Sequence, residues 1–203
     1  MDEFVEKFLN QSIQILKTLD HEQIGALAHG LAAVRERGGR LFIIGSGGGA
    51  GHAGHAVNDF RKIVGIEAYS PTDNVSELTA RVNDEGWETS YSNWLKVSRI
   101  CKNDAILIFS VGGGDVERSI SVNLVRCIEL AKSLGASIFG IVGRTGGYTK
   151  QVADACVIIP PVDAELITPH TEGMQAVVWH LLVSHPALKA CQTKWESVGT
   201  VKV

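Results

Sequence analysis

The sequence predicts an α/β fold built on a parallel sheet, on three observations. Four short apolar runs, at residues 40–45, 105–109, 137–142 and 155–159, are rich in Ile, Val, Leu and Phe without polar alternation, as in strands buried on both faces. Helical stretches separate the first three runs, and a short turn or helix precedes the last, giving the alternation of a parallel sheet. Two of the runs end in glycine-rich segments that lead towards helices, Gly45-Ser46-Gly47-Gly48-Gly49-Ala50-Gly51 and Ser110-Val111-Gly112-Gly113-Gly114-Asp115.

Two helices precede the first strand. Phe4, Leu9, Ile13, Leu16 and Leu19 recur at near-helical spacing, and Ile24, Leu27, Leu31 and Val34 repeat the pattern after a break at Asp20-His21. Gly38-Gly39 ends the second helix. A weaker strand is expected at 66–70, with helical stretches over 75–81 and 88–99. The closing helix spans about 171–183, entered through Thr168-Pro169-His170-Thr171 and stopped before Pro186.

With 203 residues, 45% hydrophobic and 20% charged, the chain can bury one substantial core, so one domain over 1–203 is expected. A net charge of -3, with 19 scattered Lys and Arg, gives no basic footprint for nucleic acid. The acidic, amphipathic start lacks the basic head and apolar run of a secretory signal, and no apolar run reaches membrane-spanning length, so a cytoplasmic location is expected. Cys101, Cys127, Cys156 and Cys191 form no CxxC pair and read as buried free thiols. Trp87, Trp94, Trp179 and Trp195 read as packing residues.

Small residues let a backbone approach a ligand, and a helix N-terminus offers unpaired N–H groups and partial positive charge to an anion. One such loop is as easily a tight strand-to-helix connection, but two on neighbouring strands favour a phosphate site. A dinucleotide site competes, because residues 45–50 superficially match GxGxxG/A. That fold usually opens with its strand, however, and only Glu67 or Asp73 is on offer for the ribose. Asp115 either competes with a phosphate for donors or caps the following helix.

His55 and Asp59 stand four apart on the helix leaving the first loop, and Glu172 and His180 stand eight apart on the last helix. Two imidazoles and two carboxylates from separate helices suit zinc or another divalent ion. A surface ion pair is the ordinary alternative for the first pair, and a satisfied core histidine for His180, which lies among Val177, Val178, Trp179, Leu181 and Leu182. His52 is a reserve candidate, and His170 either reaches the site or caps the last helix.

The first loop, His55 and Asp59, Val82-Asn83-Asp84, the loop at Ser110 and the helix from Glu172 to His180 together resemble sugar isomerase (SIS) domains, the bacterial phosphoheptose isomerase family most of all. The resemblance covers almost the whole chain. It implies a Rossmann-like three-layer sandwich with a parallel, roughly five-stranded sheet. Two N-terminal helices (1–37) would serve subunit packing in a homotetramer with active sites near subunit interfaces. It also implies isomerisation of D-sedoheptulose 7-phosphate to D-glycero-D-manno-heptose 7-phosphate, commonly with zinc. The family's metal ligands fall on His55, Asp59 (a glutamate in the family), Glu172 (a glutamine) and His180. Substrate contacts fall on Ser46, Gly47, Gly48, Gly49, Asp84, Ser110, Gly112, Gly113 and Asp115. Ser46 stands where an asparagine is usual and Gly49 where a serine binds phosphate. The second loop keeps Ser110 but replaces the usual hydroxyl-rich pattern by Gly112, Gly113, Gly114 and Asp115, leaving backbone N–H groups with Ser119 or Ser121 to do more of the binding.

An aldose-ketose isomerase needs a proton-transferring base and an electrophile for the enediolate. His180 with one carboxylate, Asp59 or Glu172, is expected to exchange the protons. The rivals are a non-catalytic phosphosugar-binding module acting on a partner such as the replication initiator DnaA, and an isomerase of another phosphosugar.

Overall fold

The structure, a computed structural model, describes residues 2–198, apart from the side chain of Trp195. In chain order the elements are α1 (Glu3–Thr18), α2 (His21–Glu36), β1 (Leu41–Gly45), α3 (Gly48–Asp59), a π-helical turn (Phe60–Val64), β2 (Ala68–Tyr69), α4 (Val75–Glu85) and α5 (Trp87–Val97). Then come β3 (Ala105–Ser110), α6 (Val122–Leu134), β4 (Ser137–Gly143), α7 (Gly147–Val152), β5 (Ala155–Ile159), α8 (Ile167–Ser184) and α9 (Lys194–Ser197). The sheet is parallel throughout, in the order β2-β1-β3-β4-β5.

Side chains alternate across each strand, and both faces are covered. Leu41, Ile43, Leu107, Phe109, Phe139 and Ile141 face α2, α3 and α8. Phe42, Ile44, Ile106, Ile108 and Ile138 face α5 and α6. This two-sided burial is why the strands read as unbroken apolar runs. Helix entries are fixed locally: Asp2 accepts from the N–H groups of Phe4 and Val5, Asp20 from Gln23, and Asn74 from Ser76 and Glu77.

The four strong strands agree with the sequence reading to within a residue, and two segments differ. The expected strand at 66–70 shrinks to two residues because the Asp73 carboxylate takes the Ser70 N–H at 2.9 Å and turns the chain off the ladder. The closing helix starts at Ile167, since Pro169 lies in its first turn, where no intrahelical N–H bond is lost. His170 is therefore neither a cap nor a site residue. It is buried, stacks on Phe8 at 4.4 Å between centroids, and pairs through Nε2 with Gln11 Oε1 at 2.9 Å, seating α1 on α8. Most of the apolar stripe of α1, including Phe4, Leu9, Ile13 and Leu16, stays exposed.

Trp94 packs edge-on to Phe42 and Trp87 against Tyr91, as expected of packing residues. The thiols divide: Cys127 and Cys156 are buried, whereas Cys101 and Cys191 are exposed, correcting the expectation of four buried thiols. Burial pushes the Cys127 thiol far up and that of Cys156 up to about 12, suppressing both thiolates. A thiol-labelling time course followed by intact mass should show Cys101 and Cys191 reacting in the native protein and the other two only on unfolding; four equally fast thiols would contradict the packing around α6 and β5.

Candidate active site

The sheet order reverses between β1 and β3, and a crevice opens beyond their carboxyl ends. Both glycine-rich loops are there. The first is tight for reasons of packing. A Cβ on Gly49 would stand 2.6 Å from the Phe109 carbonyl oxygen, and one on Gly48 would collide with the Glu172 carboxylate. Gly47, at φ 59°, precedes α3 without a side-chain cap, so the Glu172 charge lies against an uncapped, partially positive helix end. Ser46 Oγ accepts from Asn123 Nδ2 at 2.9 Å, tying this loop to α6, and the Tyr91 hydroxyl donates to the Gly45 carbonyl at 3.1 Å. Burial pushes the Tyr91 hydroxyl above its usual pKa.

The second loop does not lead directly into a helix. Asp115 and Ile120 exchange backbone hydrogen bonds at 3.0 Å, closing a small hairpin, and α6 begins only at Val122. Asp115 accepts from the Arg118 N–H at 2.9 Å, so it caps this turn and not α6, contrary to one expectation. Ser119 and Ser121 precede the helix, both at φ 53°. Ser110 Oγ accepts from the Gly113 N–H at 3.0 Å, and the Gly113 carbonyl accepts from Thr149 Oγ1 at 2.7 Å, locking this loop to α7.

A cleft of about 640 Å³ lies between these loops, lined by Ser46, Ser110, Gly112, Asp115 and Ser121 together with Arg118, Arg144 and Thr145. Gly113 is buried against Gly146 behind it. The last three lining residues were missed in the sequence. For Arg144 and Thr145 the signal was the third glycine-flanked turn after a strand, Gly143-Arg144-Thr145-Gly146-Gly147; Arg118 had none. Asp84 stands apart from the cleft, exposed on α4, its carboxylate accepting from Asn83 Nδ2 at 2.7 Å.

α3 packs on α8 and brings His55, Asp59 and His180 together, with one donor atom from each within 4.8 Å of the others. The Nε2 atoms of His55 and His180 each lie 3.6 Å from Asp59 Oδ2. Asp59 is buried, while both imidazoles are about half exposed, so His180 is not a core histidine. Its Nδ1 is 2.7 Å from the Ala176 carbonyl, an oxygen that only accepts, so Nδ1 carries a proton and the Nε2 lone pair of the neutral ring faces Asp59. Two imidazole nitrogens and a carboxylate oxygen converging from two helices suit a cation. Glu172 lies outside this group, two turns earlier on α8, over Gly48 and near His52; burial pushes the His52 imidazole below its usual pKa, against an upward pull from Glu172. Trp179, read from the sequence as packing alone, donates its indole N–H to Asp59 Oδ2 at 3.2 Å.

The sheet order and its flanking helices define an α/β domain of the sugar isomerase (SIS) type. No protein-family model matches the chain. Among curated relatives, the phosphoheptose isomerase of Helicobacter pylori (strain Shi470) is 30% identical over 186 residues, which cover 87% of this chain and 90% of that protein. The lincomycin biosynthesis protein LmbN of Streptomyces lincolnensis is 30% identical over 192 residues, covering 89% of this chain and 68% of its own length. The solved structure of phosphoheptose isomerase GmhA from Neisseria gonorrhoeae shares the fold, with a TM-score of 0.77 at 19% identity over 90% of this chain and 96% of that one. The chain belongs to the phosphoheptose isomerase family, whose members are intramolecular oxidoreductases.

The tight approach of Gly49 to Phe109 makes a serine there a packing fault and not a recovered phosphate ligand. Gly49→Ser should lower stability by about 1–3 kcal/mol in urea denaturation, the usual scale of overpacking; an unchanged midpoint would contradict it.

Proposed function

We propose that the chain is an aldose-ketose isomerase converting D-sedoheptulose 7-phosphate to D-glycero-D-manno-heptose 7-phosphate through an enediolate. The observation that carries this reading is the convergence of His55, Asp59 and His180 on α3 and α8, the two helices whose Gly48 and Glu172 meet at the first glycine-rich loop.

The phosphate is bound in the cleft by Arg118 and Arg144, with hydroxyls from Ser110, Ser121 and Thr145. Arginine supplies charge and a planar fork of donors, replacing the hydroxyls that the glycines of this loop lack. Isomerisation takes a proton from C1 of the ketose and returns it to C2, while the hydroxyl proton on O1 is lost and O2 gains one. Asp59 is poorly placed to move these protons: Oδ1 accepts from Asn58 Nδ2 at 3.0 Å, and Oδ2 accepts from Trp179 and faces both imidazoles. Glu172, half-buried over the first loop, is the carboxylate with a free side, and we assign the C1-to-C2 transfer to it. His55 Nε2, Asp59 Oδ2 and His180 Nε2 would hold a divalent ion such as zinc. When bound, the ion supplies Lewis-acid polarisation of the substrate carbonyl.

The exposed Phe4, Leu9, Ile13 and Leu16 of α1 support assembly into a homotetramer, readable as mass by light scattering. No described helix is long and apolar enough to cross a membrane, in keeping with a cytoplasmic enzyme.

Incubation with sedoheptulose 7-phosphate, followed by NMR, should yield the aldoheptose 7-phosphate. Turnover of a different ketose phosphate alone would reassign the substrate, and turnover of none would contradict the reading. Glu172→Gln should lower kcat by about 10²- to 10⁴-fold, the range for loss of an acid/base group, with zinc still bound; full activity in this variant would move the proton transfer to another residue. Arg144→Ala should raise KM far more than it lowers kcat. Equal KM values in variant and parent would remove Arg144 from the phosphate site.

A further inference from the structure

Trp179 touches every member of the His55, Asp59 and His180 group. Its indole N–H donates to Asp59 Oδ2 at 3.2 Å. Its ring lies 4.6 Å from that of His180 at an interplanar angle of 31°, and 5.3 Å from His55 nearly edge-on at 65°. The far side of the indole stacks on Phe109 of β3 at 5.9 Å, and only 2% of the residue is exposed. One rigid side chain thus anchors three groups from two helices to the sheet.

We infer that Trp179 is the positioning residue of the divalent-ion site, fixing the Asp59 carboxylate and the planes of both imidazoles before an ion binds. The inference rests on the ion site proposed above. The aspartate is short and buried, and its two oxygens are held separately: Oδ1 by Asn58 Nδ2 at 3.0 Å and Oδ2 by the indole. With the carboxylate plane set this way, the remaining lone pair of Oδ2 faces both Nε2 atoms, each 3.6 Å away. Without the indole N–H, the carboxylate loses one of its two anchors and is free to swing. Outer partners that orient metal ligands change affinity more than they change the fold.

Zinc affinity, measured by competition with a chromophoric chelator, tests this in the wild type and in Trp179→Phe, which keeps an aromatic ring and lacks the N–H. The variant should bind zinc about tenfold to a hundredfold more weakly while retaining wild-type sheet content by circular dichroism. Equal affinity in the folded variant overturns the role of Trp179. A wild type that binds no zinc overturns the ion site itself, and this role with it. A second reading needs no substitution: the ¹⁵N-indole resonance of Trp179, assigned through its contacts with the two imidazoles, should exchange slowly with solvent and shift as zinc is added. A resonance indifferent to zinc overturns the inference even where Trp179→Phe fails to fold.

Discussion

The reversal of winding between β1 and β3 is the constraint on which the rest of this molecule depends. β2 lies on one side of β1 and β3 on the other. The helices that follow β1 and β3 accordingly leave to opposite faces: Ala53, Ala56 and Val57 of α3 pack in one core layer, and Leu124, Cys127 and Ile128 of α6 in the other. The loops that feed them must diverge, and the space between them is the crevice. The bond from Asn123 to Ser46 crosses that gap and sets its width.

Close approach, more than anion binding, explains the glycines around the crevice. Gly45 lies against the backbone of Gly49, Gly49 against Phe109, and Gly113 against Gly146. Side chains at these positions would push apart the elements that form the cleft. Side-chain donors at the cleft therefore come from residues outside the glycine runs, and Arg118 and Arg144 enter from a hairpin and a third loop. The donor group on α3 and α8 follows the same logic: the small residues of α3 let it pack closely on α8, which places Asp59 within reach of Trp179 and His180.

Much of this was legible in the sequence, and most of the parts that were not share one cause. Strands buried on both faces announce themselves as apolar runs, and a helix repeat of 3.6 residues brings His55 over Asp59 without any knowledge of the fold. The convergence of His55 and Asp59 with His180 was legible only as a possibility, because it depends on how α3 meets α8. The hairpin at 115–120 and the entry to α6 carry positive φ values on Ser119 and Ser121, residues that give no turn signal as strong as glycine's. Arg118 and Arg144 enter the cleft through loop geometry, and His170 turns out to be an α1 contact because Phe8 and Gln11 lie against it. Trp179 read as packing because nothing in sequence places an indole N–H 3.2 Å from a carboxylate 120 residues away. Apart from the hairpin, each of these facts is a long-range contact, and local patterns carry no record of it.

The proposed transfer of a proton between adjacent carbons of a sugar phosphate is measured most directly by the reaction of sedoheptulose 7-phosphate in D₂O, followed by NMR at C1 and C2. An enediolate mechanism with a carboxylate that exchanges with solvent predicts aldoheptose phosphate carrying deuterium at C2. Recovery of unlabelled ketose phosphate with no aldose formed, at enzyme and zinc concentrations that saturate the site, would contradict it.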